Sequence, residues 1–192
     1  MTTINFCGDS FCGGMPRPDV SWTTILADKL NANIIGLGRP GAAYEQCFID
    51  FNPSADYTVF CWTQPDRLYH KLYEIAEWRS CDQRAVHRVY AAACAYYQLI
   101  HDKDLAIRRF QRECYWFDHA ILCSYAGQII HLDCFANLYT WNVGIKHTIP
   151  ILNNQRTNPV RESSDEIANH FNVKQNAMLA DELFELFCKE LS

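Results

Sequence analysis

Short apolar runs alternate with helical spacings along the first third of the chain. Thr3 to Cys7 predicts a short buried strand, stopped by Gly8-Asp9-Ser10. After a Gly- and Pro-rich loop from Cys12 to Asp19, Trp22, Ile25, Leu26 and Leu30 recur at helical spacing, with Ser21 or Asp19 placed as the N-cap. Asn33 to Leu37 predicts a second strand, ended by Gly38-Arg39-Pro40-Gly41, and a helix from about Ala43 to Phe51 follows. Tyr57 to Trp62 is a continuous apolar run, as expected of a strand covered on both faces. Strand and helix alternating in short steps imply right-handed crossovers and a parallel sheet.

The middle of the chain reads as helical. Ala85 to His101 and Asp104 to Ala126 carry apolar residues at helical period, with Arg108, Arg109 and Arg112 on the opposite side and Gly127 as the stop. Tyr90, Tyr96, Tyr97, Tyr115, Trp116 and Phe117 in these helices, and Trp62, are expected to be core. Gln128 to Leu132 predicts a fourth strand and Thr148 to Leu152 a fifth. Near the end, Asn172 with Gln175 three residues on forms a capping-box pattern. It opens a helix with an apolar stripe of Leu179, Leu183, Phe184, Leu186 and Phe187. The expected organisation is one α/β domain over residues 1–192, with a helical insertion around 70–126.

Composition narrows the function. A hydrophobic fraction of 49% over 192 residues is enough for a core without a disulfide or metal staple. The formal charge of −5, with no basic stripe, argues against a nucleic-acid partner. The ten cysteines contain no CxxC pair and sit mainly in apolar runs, so they read as buried free thiols rather than zinc ligands or disulfides. With no signal-like start and no membrane-length apolar stretch, the expectation is a cytoplasmic protein that does not engage a membrane.

Ligands of open parallel sheets bind at the carboxyl ends of the strands. Three turns fall there. Ser10 follows the first strand, where a hydroxyl and its own backbone amide can serve attack and oxyanion binding together. Gly38-Arg39-Pro40-Gly41 follows the second, where a glycine lets bare backbone approach a substrate oxygen. Thr63, Gln64 and Arg67 follow the third, offering a hydroxyl, an amide and a guanidinium, the last to a substrate or to an ion pair. A serine needs a base. Of the seven histidines, His170 alone lies in a polar loop before a capped helix, preceded by Asp165 and Glu166, either of which could orient the ring.

Cys7-Gly8-Asp9-Ser10-Phe11, Gly38-Arg39-Pro40-Gly41 and the segment from Asp165 to His170 before the last helix resemble, in order, the first, second and last blocks of the SGNH/GDSL hydrolases. In place of that family's Gly-x-Asn-Asp third block stands Thr63-Gln64-Pro65-Asp66, and Asp165 lies five residues before His170 rather than three. The resemblance implies a flavodoxin-like three-layer α/β/α sandwich with a central parallel sheet and no cofactor. It implies Ser10 as nucleophile, His170 as base and Asp165 as the third member. The Ser10 and Gly41 amides, with Gln64 or another third-block side chain, would be the oxyanion donors. The expected activity is hydrolysis of a small acyl ester, free or on a carbohydrate. The alternatives are acyl transfer by the same triad, or a binding or structural protein that keeps the fold with weak catalysis. A nucleotide- or flavin-binding protein fits less well, because no phosphate-cradling Gly-rich loop opens a helix.

Overall fold

The computed structural model describes residues 1–13, 18–68, 86–134, 139–148 and 171–190. Five strands, β1 (Thr3–Gly8), β2 (Asn33–Gly36), β3 (Tyr57–Trp62), β4 (Gln128–Asp133) and β5 (Ile145–Thr148), form one sheet in the order β2-β1-β3-β4-β5. Every neighbouring pair is parallel. This is the flavodoxin-like strand order, and helices cover both faces in an α/β three-layer sandwich.

Side chains alternate along each strand, so the two faces build separate cores. Ile4, Phe6, Val59, Cys61, Ile130 and Leu132 face one helical layer, α1 (Trp22–Lys29) and α5 (Val173–Glu190). Trp22, Leu26, Leu179, Leu183 and Phe187 complete that side. On the other face Cys7, Phe60, Trp62 and Ile129 meet α2 (Glu45–Asp50) and α4 (Lys103–Ala120) through Cys47, Phe110, Cys114 and Phe117. A further helix, α3 (Val86–Leu99), precedes α4; its Tyr97 hydroxyl donates to the Asp66 carbonyl beyond β3.

Local chemistry sets the helix ends. The Ser21 hydroxyl accepts from the Thr24 amide, so Ser21, not Asp19, caps α1. At α5 the capping box closes reciprocally, with the Asn172 amide on Gln175 Oε1 and the Gln175 amide on Asn172 Oδ1, both at 2.9 Å.

Three expectations are corrected. The second middle helix ends at Ala120 rather than Ala126, and a 3₁₀ turn at Leu122–Ser124 leads into β4. The fifth strand is Ile145–Thr148, so only Thr148 of the expected span belongs to it; the residues beyond lie outside the described ones. Of the aromatics assigned to the core, Trp62 and Phe117 are buried, whereas Tyr115 and Trp116 are 57% and 58% exposed and Tyr97 is also exposed. Cys114 and Phe117 point α4 at the sheet, which turns residues 115 and 116 outward.

Candidate active site

Parallel strands place all their carboxyl ends on one rim. In this strand order the crossovers leave β1 and β3 in opposite directions, which opens a crevice between their ends, the switch point where such folds bind ligands. Ser10 follows β1 there, and Thr63, Gln64 and Arg67 follow β3.

The chain leaves β1 through Gly8, at φ +153°. A Cβ there would stand 2.8 Å from the Cys61 Cβ, so a side chain is barred by both backbone conformation and space. Ser10 then begins a single 3₁₀ turn, Ser10–Cys12, and is half-buried. Asp9 caps the turn, its Oδ1 accepting from the Phe11 amide at 3.0 Å. The Phe11 carbonyl accepts from the Trp22 indole N–H. The Cys12 carbonyl accepts from the Gly38 amide at 3.1 Å, and the Gly8 carbonyl from the Arg39 amide at 2.9 Å. The serine turn is therefore stitched to α1 and to the loop after β2. That loop runs on to Gly41, at φ +73°.

Beyond β3, Arg67 reaches back over both loops. Its Nη1 donates to Asp9 Oδ2 at 2.8 Å and to the Ala42 carbonyl at 3.3 Å. Asp9 is fully buried and the Arg67 side chain is 14% exposed, so this is an ion pair withdrawn from solvent. Thr63, 4% exposed, holds its hydroxyl with no hydrogen-bond partner among the described residues. Beneath the turn Cys61 Sγ lies 3.0 Å from Cys134 Sγ. Hydrogen bonds from Cys12 and Cys134 draw the Cys61 thiol down to about 7, while burial pushes Cys12 up. All described cysteines are free, and Cys123 and Cys188 are exposed rather than buried.

His170, Asp165 and Glu166 lie outside the described residues. Phe171, the next residue after His170, is described. Its ring packs edge-to-face on Phe11, the next residue after Ser10, at 6.0 Å between centroids. Asn176 on α5 secures this contact: its Oδ1 accepts from the Trp22 amide at 2.9 Å and its Nδ2 donates to the Phe171 carbonyl at 3.1 Å.

Other histidines are engaged elsewhere. His131, fully buried in β4, accepts from the Trp62 indole at Nδ1 (3.1 Å), so Nε2 carries the proton it donates to the Val143 carbonyl (3.0 Å). Burial holds its pKa down at about 3. His147 on β5 pairs with Glu182 at 3.1 Å, a histidine–carboxylate couple like that of a triad. Yet β5 lies three strand spacings from β1, about 14 Å, which is beyond proton-transfer reach of the Ser10 turn. His119 stacks on Tyr115, and His101 lies against Tyr96 and Tyr97.

The Asp9–Arg67 link and the unsatisfied Thr63 hydroxyl were not legible as such in the sequence, because both depend on contacts between strand ends. Among the described residues no group of three or more His, Cys, Asp or Glu side chains could hold a metal ion, and no helix is long and apolar enough to cross a membrane.

No family model and no curated protein matches the sequence. Among solved structures, the chain is similar to a carbohydrate esterase whose active site is described as displaying divergent catalytic and non-catalytic binding functions. The identity is 11% and the TM-score 0.46, with 98% of this chain and 65% of that chain covered. This chain thus spans just under two thirds of that protein's length.

Proposed function

We propose that this protein is a serine hydrolase that cleaves a small acyl ester through an acyl-enzyme on Ser10. One observation carries the reading: the serine stands on a braced turn at the switch point, and its neighbour Phe11 packs on Phe171, the neighbour of His170. The contact between Phe11 and Phe171 supports a reading in which His170 serves Ser10 as its base.

In this reading the His170 imidazole takes the Ser10 proton as the hydroxyl oxygen attacks the ester carbonyl. The negative charge then develops on the former carbonyl oxygen, which the Ser10 and Gly41 amides bind together with a third-block side chain. Thr63 is favoured as that third donor over Gln64, because its buried hydroxyl has no partner among the described residues to give up. Collapse expels the alcohol with the proton returned by His170, and water activated by the same ring releases the acid. Asp165 or Glu166 would hold the imidazole in its working tautomer. A carbohydrate acyl ester is the substrate class the family resemblance suggests.

The test is steady-state hydrolysis of p-nitrophenyl acetate and of an acetylated sugar. Wild type should turn over, and Ser10→Ala and His170→Ala should each drop to background with melting temperatures unchanged. Full activity in Ser10→Ala would end the proposal.

A further inference from the structure

Arg67 looks at first like a cation waiting for an anionic substrate, but its geometry gives it other work. The same Nη1 atom bonds Asp9 Oδ2 and the Ala42 carbonyl. Asp9 in turn holds the Phe11 amide through its other oxygen. One guanidinium from the loop after β3 therefore joins the turn that carries Ser10 to the loop that carries Gly41, one residue from Ala42. These two segments supply the two backbone oxyanion donors of the proposed reaction.

We propose that Arg67 is a positioning residue, which sets the spacing of the Ser10 and Gly41 amides without touching substrate. The inference rests on the hydrolase reading for its catalytic consequence, though not for the clamp itself. Three features support it. Asp9 is fully buried, so its charge needs this partner in the resting protein. Arg67 is itself braced, its amide donating to the Gln64 carbonyl at 3.3 Å in the turn beyond β3. And Gly41 sits at φ +73°, where the backbone has no side chain of its own to hold it and must be fixed by its neighbours. An oxyanion site of two amides from different loops works only if their separation is preset, and displacement by about 1 Å can cost on the order of 100-fold in rate.

The experiment uses Arg67→Ala, Arg67→Lys, Asp9→Asn and the double variant Asp9→Asn/Arg67→Gln in the full-length chain. Kinetics with p-nitrophenyl acetate should show kcat down roughly 10- to 100-fold in Arg67→Ala with KM within about 3-fold, since the loss falls on the transition state. Arg67→Lys, which keeps the charge and several donors, should recover most of kcat. The double variant, which keeps a neutral pair, should fold even where Arg67→Ala does not. Backbone amide exchange gives the readout that needs no activity: loosening the clamp should speed exchange across residues 9–13 and 38–44 together, leaving β3 and β4 protected. A rise in KM at constant kcat, or full kcat in Arg67→Ala, overturns the inference, as does unchanged exchange in both loops. Wild-type protein that folds but neither turns over nor labels at Ser10 overturns the hydrolase reading instead, and the exchange arm still decides the clamp.

Discussion

Replacing Thr63 by valine should raise stability and lower activity at once. Thr63 is 4% exposed, and its Oγ1 has no hydrogen-bond partner among the described residues. A buried hydroxyl left unsatisfied costs about 1–3 kcal/mol. Valine has nearly the same shape and no hydroxyl, so Thr63→Val removes that cost without opening a cavity. A gain of about 1 kcal/mol corresponds to a melting temperature higher by about 2–4 °C for a chain of this size. If the hydroxyl waits for the developing oxyanion, its loss should lower kcat by about 100-fold or more, or roughly 2.7 kcal/mol of transition-state stabilisation. Thr63→Ser keeps the donor and should stay within a few-fold of wild type, and Gln64→Ala should do the same. Thermal melts and acetate-ester kinetics on the four proteins settle the matter. A destabilised Thr63→Val would mean that the hydroxyl has a partner after all. Unchanged kcat in Thr63→Val, with kcat lost in Gln64→Ala, would transfer the third-donor role to the amide.

Other consequences are as concrete. Folded His131 has a pKa of about 3 against an ordinary 6.5, so the unfolded chain takes up a proton that the folded one refuses as pH falls below about 6.5. Its contribution is complete above that pH and declines toward pH 3; between pH 7 and 5 it amounts to about 2 kcal/mol. Urea unfolding of wild type should therefore weaken over that range by about this much more than unfolding of His131→Phe, and equal slopes would refute the assignment. Buried Asp118 on α4 accepts from the Tyr139 hydroxyl, the Asn142 amide and side chain and the Val143 amide. Asp118→Ala should cost about 3–5 kcal/mol in urea unfolding, and a loss below about 1 would show the loop to be held otherwise. Gly8→Ala should destabilise by about 3 kcal/mol or more and abolish turnover, because the added methyl meets Cys61 and forces the serine turn to move; a wild-type-like protein would contradict that packing.

How much the sequence reveals depends on the range of the interactions involved. β3 was legible to the residue because Tyr57–Trp62 is apolar on both faces and bounded by polar turns. The Asn172–Gln175 capping box was legible because its partners are three residues apart. β5 was not, since Ile145-Lys146-His147-Thr148 is a half-buried edge strand whose pattern is weaker than the apolar run just after it. Tyr115 and Trp116 misled because aromatic content says nothing about which way a helix turns its side chains. That Ser10 follows β1 and Thr63 follows β3 could be read from the turns that end those strands. The tie from Arg67 to Asp9 spans 58 positions and the His131 bond to Trp62 spans 69, so neither leaves a local signature.

The account stands on Ser10 being a nucleophile that a base can activate. Treating the folded wild-type protein with a fluorophosphonate probe, followed by intact mass and peptide mapping, asks this directly. One adduct should form, on the peptide containing Ser10, slowed at least 100-fold by His170→Ala and absent from Ser10→Ala. An adduct on another serine, or none on folded protein under conditions that label a known serine esterase to completion, would contradict it.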